Sequence, residues 1–405
     1  MKIANTSSAQ ALILLSALFL LVPNQAVAEY SDNETTADFS YISNTNIPIV
    51  QFKNANDAPN EVAAAVDVPV DSESEVLLVS HERRIFPKRA IEICDEECAS
   101  EGVASNGCID RDWRVYADFL YLRPANVGIN YGVVVDGPIV SGEVPIQIGS
   151  IGVASPSYEP GFRVGFSRAL SQFADIGFSY THLDTKITDR LTGTPGTPIQ
   201  SLVIHPSSTN ADDEWLSAMA SHSVNFKFAD INYRHLFASD NNYKLRYLMG
   251  VRYGRLEQRF NSTFSLTGNE SINSGVTFDG GGFRLGIEGE RVSQRSGLLF
   301  YGQANASFLA GEFRAGYFQG NSSDPVIVNT SWKEARIVTI PEIELGIGWQ
   351  NKSGRFRFTC GYMMSAWLDA VKTGDFIQAI QTNKYNGLNN KIQFDGLVMR
   401  TEYVW

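Results

Sequence analysis

The sequence predicts an all-β protein: an antiparallel up-and-down transmembrane β-barrel of about ten strands (twelve are possible), preceded by a mostly disordered N-terminal appendage. Three observations lead there. Segments alternating apolar and polar residues with period two fill the chain from Arg111 to Trp405. Short connections between these segments alternate strictly with long ones. After the first thirty residues no apolar run is long enough to form a membrane helix, although the N-terminus carries an export signal. In that signal Lys2 precedes the apolar stretch from Ala11 to Val22, and Ala26-Val27-Ala28 supplies a small-residue cleavage site after Ala28. An exported, aromatic-rich chain of this kind fits a barrel, whose strands never appear as long apolar runs.

Residues 1–28 are thus read as a signal peptide, 29–110 as an acidic, cysteine-containing appendage, and 111–405 as the barrel. The charge supports the division. Glu29 to Asp110 holds 17 acidic and 5 basic residues, which with Lys2 accounts for the whole net charge of -11, so the remainder is neutral. The stretch from Tyr30 to about Val70 is rich in Asn, Ser, Thr, Asp and Ala without sustained periodicity, as in segments that cannot build a core. Cys94, Cys98 and Cys108 lie within fifteen residues in an exported context that permits disulfides. One intrachain pair leaves an odd thiol that can bridge to a neighbour or a second copy. Zinc is the rival reading, but no histidine lies between His81 and His182.

The clearest strand runs from Tyr243 to Gly254: Tyr243, Leu245, Tyr247, Met249, Val251 and Tyr253 on one face, Lys244, Arg246, Gly250, Arg252 and Gly254 on the other, with Leu248 as an exception. Similar alternation begins at Trp113, Phe162, Ile176, Val224, Phe283, Ile343, Phe356 and Leu397, and more weakly over Gly297 to Phe308. In the Val224 segment a bulge near Ala229 is expected, because the apolar phase shifts there. Ten residues at a tilt near 40° span about 25 Å, the height of an outer-membrane apolar band. The expected short links are Ala169 to Gln172, Phe237 to Asn242, Val292 to Ser296 and Gln350 to Ser353. The expected long ones are Pro124 to Tyr158, Asp184 to Ser221, Asn261 to Gly275, Gly311 to Trp332 and Leu368 to Lys391. This rhythm puts both termini in the periplasm and the long loops outside.

Specific blocks add a family resemblance. The run from Trp113 to Pro124, Gly161-Phe162-Arg163-Val164-Gly165, Gly281-Gly282-Phe283-Arg284-Leu285-Gly286, Pro341 through Trp349, Gly361-Tyr362 with Ser365-Ala366-Trp367, and the ending Phe394 to Tyr403 together resemble the Legionella-type major outer-membrane protein family. The resemblance covers roughly Arg111 to Trp405. It implies a pore-forming barrel of the bacterial outer membrane and supplies no catalytic residues. The final residue is Trp405 where outer-membrane barrels usually end in Phe, which bears on recognition of the C-terminal strand by the barrel assembly machinery.

With polar faces inward, the candidate lumen contains Arg114, Asp118, Arg163, Lys244, Arg246, Arg252, Arg284, Glu288, Glu342, Glu344, Arg355, Arg357, Arg400 and Glu402, together with Asp112, Asp175, Lys227, Asp230, Arg234 and Glu290. Two readings follow: opposed charges form a transverse field that orients small polar solutes or ions, or they pair and seal a narrow barrel. Trp113, Tyr121, Tyr243, Tyr253, Trp349, Tyr403 and Trp405 lie near strand ends on the outward parity and are candidates for aromatic girdles facing outer-membrane lipids.

The main expectation is a porin-like channel without cofactor or nucleic-acid partner. A closed structural or adhesive barrel is the alternative. A barrel-embedded enzyme is weaker, because the sequence has no G-x-S-x-G, HExxH or P-loop pattern, and its histidines (His81, His182, His205, His222, His235) are scattered. Gly280-Gly281-Gly282 lacks the following helix that a phosphate-binding loop requires, so close backbone approach or strand twist is its expected role.

Overall fold

A computed structural model describes residues 113–140, 144–240 and 242–405. The export signal, the acidic appendage and Cys94, Cys98 and Cys108 lie outside the described residues, as does Asp112.

Ten strands close into one antiparallel barrel: β1 (Trp113–Ala125), β4 (Glu159–Ala169), β5 (Ala174–Thr192), β7 (Ser217–Asp240), β8 (Tyr243–Ser265), β9 (Asn269–Val292), β10 (Leu298–Asn321), β11 (Val328–Gln350), β12 (Phe356–Ala370) and β13 (Asn390–Val404). Each pairs with its sequence neighbour in the ring, and β13 returns to β1 in a register that sets Asp118 opposite Arg400 and Val115 opposite Tyr403. The ring holds ten strands and not the alternative twelve, because the extra strands of the long connections do not join it. Instead β2 (Ile129–Val135), β3 (Gln147–Ala154) and β6 (Ile199–Ser201) make a separate three-stranded sheet in the order β3-β2-β6.

The strands are taller than expected. β7, β9 and β10 have 24 residues and β8 and β11 have 23, about twice the length that a bilayer band requires. Two connections expected to be long loops are therefore hairpins: Asn261 to Gly275 continues β8 and β9 around a turn at 266–268, and Gly311 to Trp332 continues β10 and β11 around 322–327.

The sequence itself explains the extra height. On β8 the outward face is apolar from Tyr243 to Tyr253 and then becomes Arg255, Glu257, Arg259 and Asn261, while the inward face passes from Lys244, Arg246 and Arg252 to Leu256, Phe260 and Phe264. β5 repeats this exchange: Ile176, Phe178 and Tyr180 face out below Asp184, Lys186 and Arg190, and Asp175 and Ser179 face in below Leu183 and Leu191. One half of the barrel is thus built for lipid outside and charge inside, and the other half for water outside and an apolar core inside. The outward apolar run on β8 covers about 33 Å of strand, or about 25 Å of height at a tilt near 40°.

This exchange removes the expected bulge near Ala229. In β7 the parity is unbroken, with Val224, Phe226, Phe228, Asp230, Asn232 and Arg234 all inward and buried. The faces trade chemistry there while the phase continues, and the register shift falls later, between Leu236 and Ala238. Leu248 is an apolar residue on the inward face, 3% exposed.

The Leu368 to Lys391 connection contains a helix, α1 (Thr373–Thr382), that the strand-centred reading missed. Phe376, Ile377, Ala379 and Ile380 form its buried stripe. It ends at Asn383, whose left-handed backbone (φ 56°) and N–H bond to the last turn make a C-cap. Near the middle of the wall, β-carbons at Gly280 and Gly311 would stand 2.5 and 2.7 Å from the Phe278 ring. Only glycine lets that ring lie flat across both strands.

Candidate functional site

The barrel interior holds two layers of ionisable side chains beneath an apolar layer. Several ion-pair partners sit on strands that are not neighbours in the ring, so their contacts cross the interior.

In the layer next to the apolar core, Asp230 accepts Arg252 Nε at 2.6 Å and Nη2 at 3.0 Å, and Arg284 Nη1 at 2.9 Å. Glu342 on β11 receives Arg252 Nη1 at 2.7 Å and lies 3.2 Å from Arg284 Nη2. On the other side Asp118 accepts Arg163 Nε at 2.6 Å and Arg400 Nε and Nη2 at 2.8 and 2.9 Å. Arg163 Nη2 continues to Glu344 at 2.9 Å, where Tyr301 Oη and Gln303 Nε2 also donate. Four arginines thus face four carboxylates, and Asp118, Asp230 and Glu344 are each 3% exposed or less. The layer is neutral and bidentate in several places, the geometry in which buried charges compensate one another.

Toward the short-turn end the pairing loosens. Arg234 meets Asp175 at 2.9 Å and Glu288 at 3.3 Å; Arg357 meets Glu290 at 3.0 Å and Glu402 at 3.6 Å; Arg114 lies 3.5 Å from Glu402. Arg246 and Lys244 share Glu290 at 3.3 and 4.0 Å. A cavity of about 80 Å³ opens among Arg114, Arg234, Arg246, Glu288, Glu290, Arg357, Arg400 and Glu402.

The apolar layer begins directly on the charged one. The Arg252 guanidinium lies 4.0 Å from the centre of the Phe228 ring. Phe228 stacks on Trp367 at 5.3 Å, Trp367 meets Phe278 edge-on at 6.0 Å, and Phe278 packs against Phe313 at 4.7 Å. Phe226 joins Phe228 to Phe394 at 5.1 and 4.7 Å. Trp367, Phe278, Phe313 and Phe394 have no exposed surface.

Above the rings the β2-β3-β6 sheet and α1 complete the fill. Gln258 Nε2 on β8 donates to Val371 O at 2.8 Å and its Oε1 accepts Thr373 N–H at 3.2 Å, while Gln381 Nε2 donates to Leu202 O and Ile204 O at 3.0 and 2.9 Å. Tyr131 at the centre of the small sheet donates to Asp189 at 3.0 Å. Burial, then that acceptor, push its phenol above the ordinary range. Tyr317 reaches Val203 O, and the fully buried Glu270 accepts amide protons from Asn210, Gln319 and Asn321.

Of the twenty candidate lumen residues, seventeen strand-borne ones face inward in these two layers. Two expectations are corrected. Arg355 precedes β12 in the 351–355 turn, where it is exposed, and Lys227 faces outward above the apolar band, exposed beside Arg255. Asp175, Asp230, Arg234 and Glu290 belong to the network on the same parity signal. Tyr116, whose ring centre lies 4.6 Å from the Arg400 guanidinium, Gln303 and Tyr301 were missed, because uncharged polar residues on a strand carry no sign to follow.

The seven girdle candidates are all exposed on the outward face. Trp113, Tyr243, Trp349, Tyr403 and Trp405 cluster toward the short-turn end, with Tyr403 and Trp405 stacked at 5.8 Å. Tyr121 and Tyr253 lie at the opposite edge, joined by Tyr158, Tyr180 and Tyr362. Tyr158 stacks on Tyr121, and both Tyr158 and Tyr362 donate to Asp395, which also pairs with Arg123. The four described histidines do not converge: His182 faces out against Phe162, His205 lies in a loop, His222 is buried beside Ala154 O, and His235 stacks on Tyr247. Among the described residues no three His, Cys, Asp or Glu side chains form a metal-holding group.

A closed ten-strand ring, an outward apolar band between two sets of aromatic residues and a charged interior define an outer-membrane β-barrel. The family described as the Legionella pneumophila major outer membrane protein precursor matches residues 105–404, and the chain belongs to that family. Its place is therefore the bacterial outer membrane. No curated protein matches the chain. Solved structures with a related outline include the outer membrane protease OmpT of Escherichia coli (9% identity, 73% of this chain and 97% of that one, TM-score 0.42) and the Pseudomonas putida toluene transporter TodX (6%, 72% and 89%, 0.26). The outer membrane protein AlkL is another (10%, 76% and 96%, 0.24). At these scores none carries an argument about activity.

Proposed function

We propose that this chain is an outer-membrane barrel that seals its own interior and works through its long-loop end as a structural or adhesive surface. The observation that supports this reading is the unbroken fill from the Asp230–Arg252–Arg284–Glu342 cluster through Phe228 and Trp367 to α1. The fill comes largely from the wall strands themselves, so moving a loop alone leaves it in place. The strands that rise beyond the apolar band lift the small sheet and α1 well clear of the membrane.

A second reading is passive diffusion of small polar solutes or ions, the role that the family resemblance implies. The observation favouring it is the loosely paired, arginine-rich cavity at the short-turn end. Passage in this reading requires the eight-charge layer and the aromatic layer to part together. Enzymatic action has no supporting constellation among the described residues.

In both readings the chain is exported by cleavage after Ala28. Residues 29–110 and the short turns then face the periplasm, the girdle residues meet outer-membrane lipids, and the assembly machinery engages β13 through its terminal Trp405. The test is conductance of the purified, refolded chain in a planar bilayer. Silence from a correctly folded barrel supports the sealed reading, and discrete steps whose ion selectivity shifts when Arg357 becomes Glu support the channel.

A further inference from the structure

The small sheet at the long-loop end leaves one edge open. β3 pairs with β2 through one side only, and among the described residues no backbone hydrogen bond to another strand occupies its other side. Natural sheets blunt such edges with charge, proline or a covering element. From Val144 to Ser157 the chain carries no charged residue, and its two prolines, Pro145 and Pro156, flank β3 rather than sit within it. Instead it offers Val144, Ile146, Ile148, Ile151 and Val153, exposed by 90, 71, 51, 47 and 40%. The falling values show the strand entering the barrel mouth at its Ala154 end, where Ala154 is fully buried, while its first half projects into solvent.

We propose that the free edge of β3 pairs with the β3 edge of a second copy of this chain. Three features select that occupant. The segment is uncharged, so two copies meet without like-charge repulsion and without needing a partner of opposite sign. Its β-branched residues supply the cross-strand pairs that stabilise sheets. The outward apolar band holds every copy in the membrane at one height and orientation, so identical edges lie level with each other. Much of the orientational freedom that association normally removes is already gone, and a strand-sized contact is enough.

The test places a photoreactive benzoylphenylalanine at Gln147 in the full chain, expressed in outer membranes, with irradiation followed by reducing electrophoresis. The expected result is a reductant-resistant product of twice the chain mass, which falls at least tenfold when Ile146→Lys and Ile148→Lys are added together. Unchanged heat-modifiable migration of that variant shows an intact barrel, and Ile146→Lys alone serves if the pair does not fold. No product, a product undiminished by lysine, or a crosslink to a different protein overturns the proposal. Because the readout involves no conductance, it is independent of whether the interior is sealed.

Discussion

Replacing Asp230 with Asn keeps the shape of the side chain and removes one negative charge from the neutral layer. Asp230 receives three guanidinium hydrogen bonds at 2.6, 3.0 and 2.9 Å and is 1% exposed. After the change Arg252 and Arg284 share Glu342 alone, and one buried positive charge has no counter-charge. Breaking a buried pair from one side costs about 3–5 kcal/mol. Removing Arg284 as well, as Asp230→Asn with Arg284→Met, restores neutrality, so the double variant is expected to recover about 1–3 kcal/mol relative to the sum of the single changes. Urea unfolding of the protein in lipid vesicles, followed by tryptophan fluorescence and by the heat-dependent shift on electrophoresis, measures both. A loss below about 1 kcal/mol for Asp230→Asn, or strict additivity in the pair, would refute the claim that these charges form one compensated buried layer.

Three further outcomes are expected. Met249→Arg, on the outward face within the apolar run of β8, destabilises by about 2–4 kcal/mol, whereas Asn261→Arg on the same face above the run changes stability by less than about 1 kcal/mol; equal costs in vesicle unfolding would displace the membrane band. Trp367→Ala empties the centre of the aromatic layer and costs about 3–5 kcal/mol in vesicle unfolding; a cost below about 1 kcal/mol would remove that ring from the core. Gln258→Ala together with Gln381→Ala removes five side-chain hydrogen bonds that hold α1 and its flanks; limited proteolysis is expected to cut near 383–389 at least several-fold faster, with the ring intact.

The ring was legible because a membrane barrel writes its lipid-facing half as simple alternation: Tyr243 to Tyr253 needs no tertiary knowledge to read. Strand number and the short turns follow from it. The upper halves were not legible by the same rule. At Tyr253 and Arg255 the apolar residues change sides, so a search for outward apolar residues reads the continuation of β8 as loop and the Phe228–Ala229–Asp230 stretch as a bulge. The signal was present in the inward series Leu256, Phe260 and Phe264, but its meaning depends on knowing where the membrane ends. Charge identity and parity located most of the interior network, whereas the pairing of Arg163 with Glu344 joins strands distant in sequence and follows from closure alone. α1 escaped because a ten-residue amphipathic helix within a connection is hard to separate from a polar loop.

The central claim is that the interior is filled from wall to wall. Single-channel recording of the unaltered, refolded chain in a planar bilayer tests it most directly, with heat-modifiable migration as proof of folding. The account predicts a silent membrane for the unaltered chain, and for Trp367→Ala as well, because the eight-charge layer beneath the rings stays paired. Discrete, reproducible steps from the unaltered chain would contradict it and return the charged interior to the role of an open solute path.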